Sequence, residues 1–254
     1  MNVARLIGRN LTYEMLNELG RLIVTGEYQS KSFPTEAELS VRFGVSRSVT
    51  REAVKMLTAK GILSARPRQG TTIQPRSSWN LFDTDVLRWL LDCCMTPELV
   101  RQLCQLRLAV EPTAAALAAE AADAAAIADI AAAYDRMEAA ARGSTQAIDA
   151  DIDFHLSVLR ASGNPFYAQF SDLVANTLRA SIGLTSRMRG HSTAKPGGRE
   201  RFLLAHHAVY AAIRNGKPSQ AKDAMETHIL ASTDLVERTI RQLASQGGGS
   251  GGRR

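Results

Sequence analysis

The sequence has few cysteines, the residues whose disulfide bonds would indicate an oxidising compartment. Only 3 of its 254 residues are cysteine, and Cys93, Cys94 and Cys104 have the spacing neither of a disulfide framework nor of a metal site. Aromatic residues make up 6% of the chain, and no apolar run approaches the length that spans a bilayer. The first residues, MNVARLIGRN, lack the apolar core of a signal peptide. These absences predict a cytoplasmic protein with reduced thiols and no membrane partner.

Strand-like runs are also scarce, because the sequence after residue 76 is patterned almost entirely as helices. With 45% hydrophobic and 22% charged residues, the chain is long enough for one small and one larger domain. The patterns predict a mainly α protein in which the larger domain holds six or seven helices. Its predicted parts are an N-terminal domain over 1–76, a linker and docking helix over 77–95, an all-α domain over 96–245 and a flexible tail over 246–254.

The net positive charge is confined to the first of these parts. Residues 1–76 hold 12 Lys or Arg and 6 Asp or Glu, whereas residues 77–254 hold 19 of each kind. A basic module joined to a neutral one is typical of proteins that bind nucleic acid, because cationic side chains neutralise phosphates and release counterions. The charge therefore indicates a nucleic-acid partner for the N-terminal domain.

The stretch from Phe33 to Ile73 has the pattern of a helix–turn–helix followed by a wing. Thr35 and Glu38 form a capping box that begins a short helix, and Gly44 ends it. Ser46 then caps a second helix whose polar face carries arginines and hydroxyl groups in its first turns. Two short strand-like runs on either side of RPRQG complete a winged unit. The alternative is an ordinary helical subdomain whose charged face meets only water.

The segments VSRSVTREAVKMLTAKGIL and RPRQGTTI resemble the DNA-binding domain of the GntR family of bacterial transcription regulators. The resemblance implies a winged helix–turn–helix that binds double-stranded DNA, and a palindromic operator would require a twofold homodimer. Many family members carry an arginine where this chain has Ala37, so a base contact made there is lost here. The residues that the resemblance places at DNA are Ser46, Arg47, Ser48, Thr50 and Arg51 on the second helix, with Arg68, Gln69, Gly70 and Thr71 at the wing.

A second informative group of residues lies in the all-α domain. Asp151 and His155 are four residues apart, so a helix places them on one face, and His206 and His228 lie on the last two helices. Three imidazoles and one carboxylate suit a divalent metal such as Zn, Ni or Mn, with positions left open for a ligand oxygen. Taken alone, each of these residues is more often part of a surface ion pair, or a polar group with its hydrogen bonds satisfied, than a metal ligand. The same set would also serve a metal-dependent enzyme that acts on a small organic acid.

Four segments of this domain, RLAVEPTAAALAA, DIDFHLSVLRASGNP, HHAVYAAIRNG and AMETHI, resemble the FCD ligand-binding domain of the FadR subfamily within the GntR family. The resemblance implies an all-α FCD-type bundle that holds a metal through one aspartate and three histidines. These residues map to Asp151, His155, His206 and His228. The neighbouring His207 is the alternative to His206, and the helical register set by the apolar residues that follow favours His206.

The same resemblance implies that Arg107 pairs with the carboxylate of an effector through a bidentate contact. The alternative role for Arg107 is a buried ion pair with Glu111, four residues later. Arg179 is a further candidate for contact with the effector.

The segment WNLFDTDVLRWLLD is similar to the corresponding part of galactonate-operon repressors and other sugar-acid regulators of the family. This similarity implies a sugar acid, such as an aldonate, as the effector. The sequence therefore predicts a sequence-specific transcription regulator, in the simplest case a repressor, that a small carboxylate controls through a metal site. The metal-dependent enzyme stays the alternative, although no separate nucleophile or general base is visible near Asp151 and His155.

Overall fold

The computed structural model describes residues 11–29, 32–66, 70–140, 144–189 and 198–247. The chain divides into two compact units, the first ending at Met95 and the second beginning at Thr96. The predictions made for Arg68, for Gln69 and for the tail from residue 248 onward fall outside the described residues.

The first unit contains three helices followed by a hairpin. Its elements are α1 (Leu11–Val24), α2 (Glu36–Phe43), α3 (Arg47–Ala59), β1 (Leu63–Arg66) and β2 (Gly70–Ile73). The two strands are antiparallel, and their pairing runs from Leu63 with Ile73 to Arg66 with Gly70. Side chains at helical spacing form a fully buried core, among them Met15, Leu16, Leu19, Leu39 and Leu57. The predicted winged helix–turn–helix is confirmed.

Local hydrogen bonds set the ends of α2 and α3. The Thr35 hydroxyl accepts from the backbone N–H of Glu38, and the Glu38 carboxylate accepts in return from the N–H of Thr35 at 2.8 Å. α2 ends at Gly44, whose φ of 65° lies in the left-handed region. α3 begins after Ser46, whose hydroxyl accepts from the N–H of Val49 at 3.3 Å. These caps are the ones that the sequence predicts.

The segment 77–95 packs within the first unit. A short 3-10 helix over Arg76–Ser78 is followed by α4 (Thr84–Cys94). Trp89 of α4 is fully buried, and a Cβ added to Gly20 of α1 would lie 2.5 Å from its ring. Only a residue without a side chain lets the indole approach α1 so closely. The segment predicted as a linker and docking helix is therefore, by its contacts, part of the first unit.

A polar cluster joins the end of α3 to the start of α4. Lys60 Nζ lies 2.7 Å from the Asp83 carboxylate and 2.9 Å from that of Asp85. The Tyr13 hydroxyl of α1 donates to Asp85 at 2.5 Å. Because Lys60 directly follows α3, these bonds hold α4 in a fixed relation to that helix.

The second unit is an all-α bundle throughout its described residues, which confirms the predicted fold class. Its helices are α5 (Pro97–Ala121), α6 (Ala124–Ala139), α7 (Thr145–Ala161), the short α8 (Pro165–Ala168), α9 (Ser171–Arg189), α10 (Gly198–Arg214) and α11 (Pro218–Gly247). Alanines such as Ala115, Ala118 and Ala133 lie in the core, where small side chains let helices approach closely. The single helix predicted over 165–187 is divided by a turn at Gln169 and Phe170. In the described part of the chain, no helix has the length and apolarity needed to cross a membrane.

We expect Gly61→Ala to destabilise the first unit by more than the free energy needed to hold an alanine in the left-handed conformation. Gly61 has a φ of 75°, and a Cβ there would lie 2.2 Å from the carbonyl oxygen of Ser78. The left-handed conformation costs an alanine about 1–2 kcal/mol, and the contact adds to that cost. Urea unfolding followed by tryptophan fluorescence measures the loss, since Trp79 and Trp89 are both in this unit.

The matched control is Gly44→Ala. Gly44 also has a positive φ, 65°, but an added Cβ would meet no atom within 4 Å. This variant should therefore show the conformational cost alone. Equal losses in the two variants would mean that the backbone at Ser78 moves away freely, which contradicts the prediction.

Candidate functional site

One face of α3 is exposed and basic. Arg47, Ser48 and Arg51 lie on this face, whereas Val54 and Leu57 on the opposite face are buried. Arginines in the first two turns of such a helix are within reach of base edges when the helix enters a major groove. Ser46, the cap of α3, is exposed beside them, and its hydroxyl lies 2.9 Å from that of Ser48.

Arg51 forms an exposed ion pair with the first turn of α2. Its Nε lies 3.4 Å from Glu36 Oε2, and its side chain is 61% exposed. Exposed pairs of this kind contribute about 0–1 kcal/mol. A phosphate or a base can therefore take the guanidinium from Glu36 at little cost.

Thr50 does not lie on the exposed face, and the prediction that it contacts DNA is corrected. Its side chain is fully buried, and its hydroxyl donates to the carbonyl of Ser46 at 3.2 Å. Thr50 precedes Val54 by four residues and Leu57 by seven, so the helical period turns it toward the core.

The two described wing residues lie on β2. Gly70 is exposed and pairs with Arg66, and Thr71 is half-buried and pairs with Ala65. A Cβ added to Gly70 would meet nothing within 4 Å. The backbone is therefore accessible at this end of the hairpin.

Three helices of the second unit bring ionisable side chains to one buried place. Asp151 and His155 come from α7, His206 from α10 and His228 from α11, and all four are buried. One nitrogen of each of the three histidines lies within 4.8 Å of the others, so these histidines could hold a metal ion. Asp151 Oδ1 lies 2.9 Å from His206 Nε2 and 3.7 Å from His155 Nε2. The neighbouring His207 is exposed.

The hydrogen bonds of two of the imidazoles fit a metal ion at this place. His155 Nδ1 bonds to the Glu111 carboxylate at 2.5 Å, and its Nε2 is buried with no hydrogen-bond partner. His206 Nδ1 donates to the Phe202 carbonyl at 2.8 Å, which turns Nε2 toward Asp151. Carboxylate and carbonyl oxygens only accept, so both Nδ1 atoms carry protons and the Nε2 positions meet beside a carboxylate. Nitrogen lone pairs that face a carboxylate in this way need a cation or a proton between them.

Two buried carboxylates supply negative charge next to the histidines. Burial alone would raise their pKa values, but neighbouring cations outweigh it. Arg107 and then His155 bring the pKa of Glu111 down to about 2. The hydrogen bond from His206 and its charge hold the pKa of Asp151 below its ordinary value of 3.8. Both groups are therefore ionised at neutral pH.

Arg107 of α5 is buried and forms an ion pair with Glu111. Its Nε donates to Oε1 at 2.5 Å, and its Nη2 donates to Oε2 at 3.3 Å. The ion pair that the sequence left as an alternative role for Arg107 is thus present. It leaves the Nη1 side of the guanidinium for other contacts.

A cavity of about 180 Å³ lies against the buried group. Arg107, Asp151 and His228 line it, so it meets both the metal-type group and the guanidinium. Further polar residues along it are Ser181, Arg199, Ser232 and Thr233, and its apolar residues include Leu178, Ile182, Phe202 and Val236. This volume is below that of sites for drug-sized molecules and suits a small metabolite.

The structure brings Arg199 to the cavity and does not bring Arg179 there. The Arg179 side chain is 59% exposed, and its Nη2 lies 3.3 Å from Asp149. Arg199, in the first turn of α10, lines the cavity and donates to the Glu138 carbonyl at 2.6 Å. No sequence signal identified Arg199, because only the fold brings the start of α10 to this cavity.

The fold and the buried site together define a protein with a winged helix–turn–helix unit and an all-α unit that holds a buried cluster of histidine and carboxylate groups. The family model described as bacterial regulatory proteins, gntR family, matches residues 12–73, and that of the FCD domain matches residues 102–231. The chain belongs to the GntR family of bacterial regulatory proteins and carries an FCD domain.

Two of the similar proteins are repressors. The chain is 34% identical over 225 residues to the galactonate operon transcriptional repressor of Escherichia coli, which covers 88% of this chain and 96% of that protein. It is 27% identical to the HTH-type transcriptional repressor NanR of Klebsiella aerogenes, over 89% of this chain and 85% of that protein. The family consists of transcription regulators, so this protein is a DNA-binding transcription regulator and the alternative of a metal-dependent enzyme is set aside.

A solved structure shows the same fold. It is that of Lar, which controls the expression of the Listeria monocytogenes agr system, and it matches with a TM-score of 0.61. The two sequences are 20% identical, over 91% of this chain and 99% of that chain. At this identity, the likeness concerns the fold.

The stability of the metal-free protein should depend on pH through His228. Burial, and then the charges of His206, His155 and Arg107, hold the pKa of His228 well below its ordinary value of 6.5. Below that pH the unfolded chain takes up a proton that the folded chain excludes. The free energy of unfolding should therefore fall as the pH falls below 6.5, by up to about 1.4 kcal/mol per pH unit. Calorimetric unfolding in the presence of a chelator measures this slope.

The comparison that tests this cause uses two glutamine variants. His228→Gln should lose this part of the slope, because glutamine does not titrate. His207→Gln should keep it, because His207 is exposed and lies outside the buried group. A slope that is the same in His228→Gln and in the parent would assign the pH dependence to another group.

Proposed function

We propose that the protein is a repressor that binds a palindromic operator as a homodimer and leaves it when a small hydroxylated carboxylate binds the second unit. A sugar acid such as an aldonate is the proposed effector. The observation that carries this proposal is the cavity, because it meets Arg107 and the buried histidine and aspartate group at once. A relative at 34% identity is the repressor of a galactonate operon, which supports this class of effector.

The proposed ligands of the metal are Asp151, His155, His206 and His228. Imidazole and carboxylate donors together suit Zn, Ni or Mn. When bound, such an ion would supply a Lewis acid that attracts carboxylate and hydroxyl oxygens. The unpartnered Nε2 of His155 supports this assignment, because a buried lone pair without a donor is costly.

The rest of the cavity suits a hydroxylated chain. Arg107 offers a planar set of N–H donors, which matches the two oxygens of a carboxylate. Ser232 and Thr233 line the same cavity with hydroxyl groups. The Thr233 hydroxyl donates to the Ile229 carbonyl at 2.8 Å, so it can accept from a hydroxyl of the ligand. Arg199, rather than Arg179, is the proposed second contact for an oxygen of the ligand.

The proposed switch is a change in the relative stability of two arrangements of the bundle. Arg107 lies on α5, Asp151 and His155 on α7, and the other histidines on α10 and α11. A ligand that contacts these groups would favour one placement of helices that are distant in sequence. The acid releases DNA if it binds more tightly to the arrangement that cannot hold the operator, and a coupling of about 1–3 kcal/mol is enough.

The proposed homodimer follows from the symmetry of the DNA. One copy of α3 covers one half-site, and a palindrome presents two half-sites related by a twofold axis. The alanine-rich helices α5 and α6 are candidates for the contact between copies. Ala115, Ala118 and Ala133 are buried within the bundle. A contact between copies through these helices would therefore use their outer faces.

We expect Arg51→Ala to weaken binding to the operator by about 1–3 kcal/mol and binding to random DNA by much less, because a base contact carries specificity. Lys55→Ala, an exposed residue one turn later on α3, removes the same charge and is the control. It should lower binding to both DNAs alike if it meets only phosphates. Fluorescence anisotropy at one salt concentration measures the affinities of the parent and of both variants for the two DNAs. Equal losses on both DNAs for Arg51→Ala would make it a phosphate contact.

We expect Arg107→Lys to leave operator binding intact and to raise the concentration of acid needed for release by about tenfold or more. Lysine keeps a positive charge beside Glu111, so the buried ion pair is retained. Its ammonium group lacks the planar pair of N–H donors that binds both oxygens of a carboxylate. Galactonate and related aldonates, added to the metal-loaded protein on its operator, give the release curve.

The matched control is Arg179→Lys, the same substitution at an exposed position. This variant should release DNA at the parental concentration of acid. If Arg107→Lys also responds like the parent, the effector does not bind at Arg107 and the proposed carboxylate site is wrong.

A further inference from the structure

Glu111 occupies a central position in the buried site. The sequence offers it only as an ion-pair partner of Arg107, and the proposed ligand set does not include it. Its carboxylate is 1% exposed and lies between Arg107 and His155. One oxygen accepts from Arg107 Nε at 2.5 Å, and the other bonds to His155 Nδ1 at 2.5 Å. A single carboxylate thus contacts both the proposed effector-binding group and a proposed metal ligand.

The bond to His155 selects the tautomer of its ring. A carboxylate can only accept, so the proton of a neutral His155 is held on Nδ1 and the lone pair is on Nε2. That Nε2 is the buried atom without a hydrogen-bond partner, and it lies 3.7 Å from Asp151 Oδ1. Without an acceptor at Nδ1, the proton could move to Nε2 and block it as a ligand.

The bond to Arg107 fixes the orientation of its guanidinium. Glu111 takes the edge formed by Nε and Nη2. The Nη1 side is then the part of the group left to meet a molecule in the cavity that Arg107 lines. The carboxylate and the guanidinium also cancel each other's charge, so the pair adds no net charge beside the histidines.

We propose that Glu111 is a positioning residue that holds His155 in the tautomer able to bind metal and holds Arg107 in the orientation that faces the effector. This inference rests on the proposed function, because it assumes a metal at the histidines. It adds to the proposed function that the affinity for the metal depends on Glu111, which is not one of the proposed ligands. Carboxylates that accept from the second nitrogen of a metal-bound histidine have this effect in general.

The substitution Glu111→Gln tests the tautomer directly. Arg107 presents only donors, so the oxygen of the glutamine side chain turns to Arg107 and its NH2 group turns to His155. An NH2 donor at Nδ1 forces the proton of His155 onto Nε2. We expect the affinity for Zn²⁺, measured by competition with a chromophoric chelator, to fall by about 10- to 100-fold.

A spectroscopic measurement separates positioning from a purely structural role. The visible absorption of bound Co²⁺ reports the donors around the ion. It should change in Glu111→Gln, because His155 no longer donates a lone pair. Glu120→Gln, the same substitution at an exposed position on α5, is the control and should keep the parental affinity and spectrum. A Glu111→Gln variant that is less stable but binds Zn²⁺ and Co²⁺ like the parent overturns the proposal.

A second pair of variants keeps the test decisive if Glu111→Gln does not fold. Arg107→Met combined with Glu111→Met removes both charges and the acceptor at His155, and replacing a whole buried ion pair is often tolerated. It is compared with Arg107→Met combined with Glu111→Gln, which is also uncharged but whose amide oxygen, no longer held by Arg107, can accept from His155. We expect the variant with methionine at position 111 to bind Zn²⁺ at least about tenfold more weakly than the variant with glutamine there. Equal affinities would overturn the role of Glu111.

The outcomes also separate this inference from the proposed function. A parent protein that binds neither Zn²⁺ nor Co²⁺ would overturn the proposed metal site, and the role of Glu111 with it. A parent that binds both ions, together with a Glu111→Gln variant that binds them equally well, would leave the metal site standing and overturn the role of Glu111 alone.

Discussion

The buried ion pair between Arg107 and Glu111 is the interaction on which the interior of the second unit depends. Moving either ion out of water alone would cost several kcal/mol, and removing one partner of such a pair typically costs about 3–5 kcal/mol. The cost is offset here because Glu111 accepts from His155 as well as from Arg107. With this charge neutralised on α5, helices α7, α10 and α11 can place three imidazoles beside it.

The helices were predictable because their signals are local. The capping box at Thr35 and the serine cap at Ser46 act within one turn of chain, and the structure forms both of them. A contact across the fold has no such signal. The apolar residues around Trp89 indicate that the segment is buried, but nothing near them in sequence indicates that Gly20 of α1 is the surface they meet.

The residues of the candidate site were more predictable than their contacts. The spacing of four between Asp151 and His155 was enough to place them on one face of a helix. The register of α3 also contains the information that Thr50 faces the core, since Thr50 shares a face with Val54, whereas the family resemblance places Thr50 at DNA. The bond between His155 and Glu111 joins α7 to α5, and sequence patterns do not predict such pairs.

The balance of buried charge also favours an anionic effector. Arg107 and Glu111 neutralise each other, so Asp151 is the remaining carboxylate among the proposed metal ligands. A divalent ion held by these ligands would leave uncompensated positive charge next to the cavity, and the guanidinium of Arg199, which also lines the cavity, adds to that charge. A carboxylate in the cavity would compensate part of it, whereas a neutral sugar would not. An acid with hydroxyl groups would satisfy both this balance and the hydroxyl-bearing side chains along the cavity.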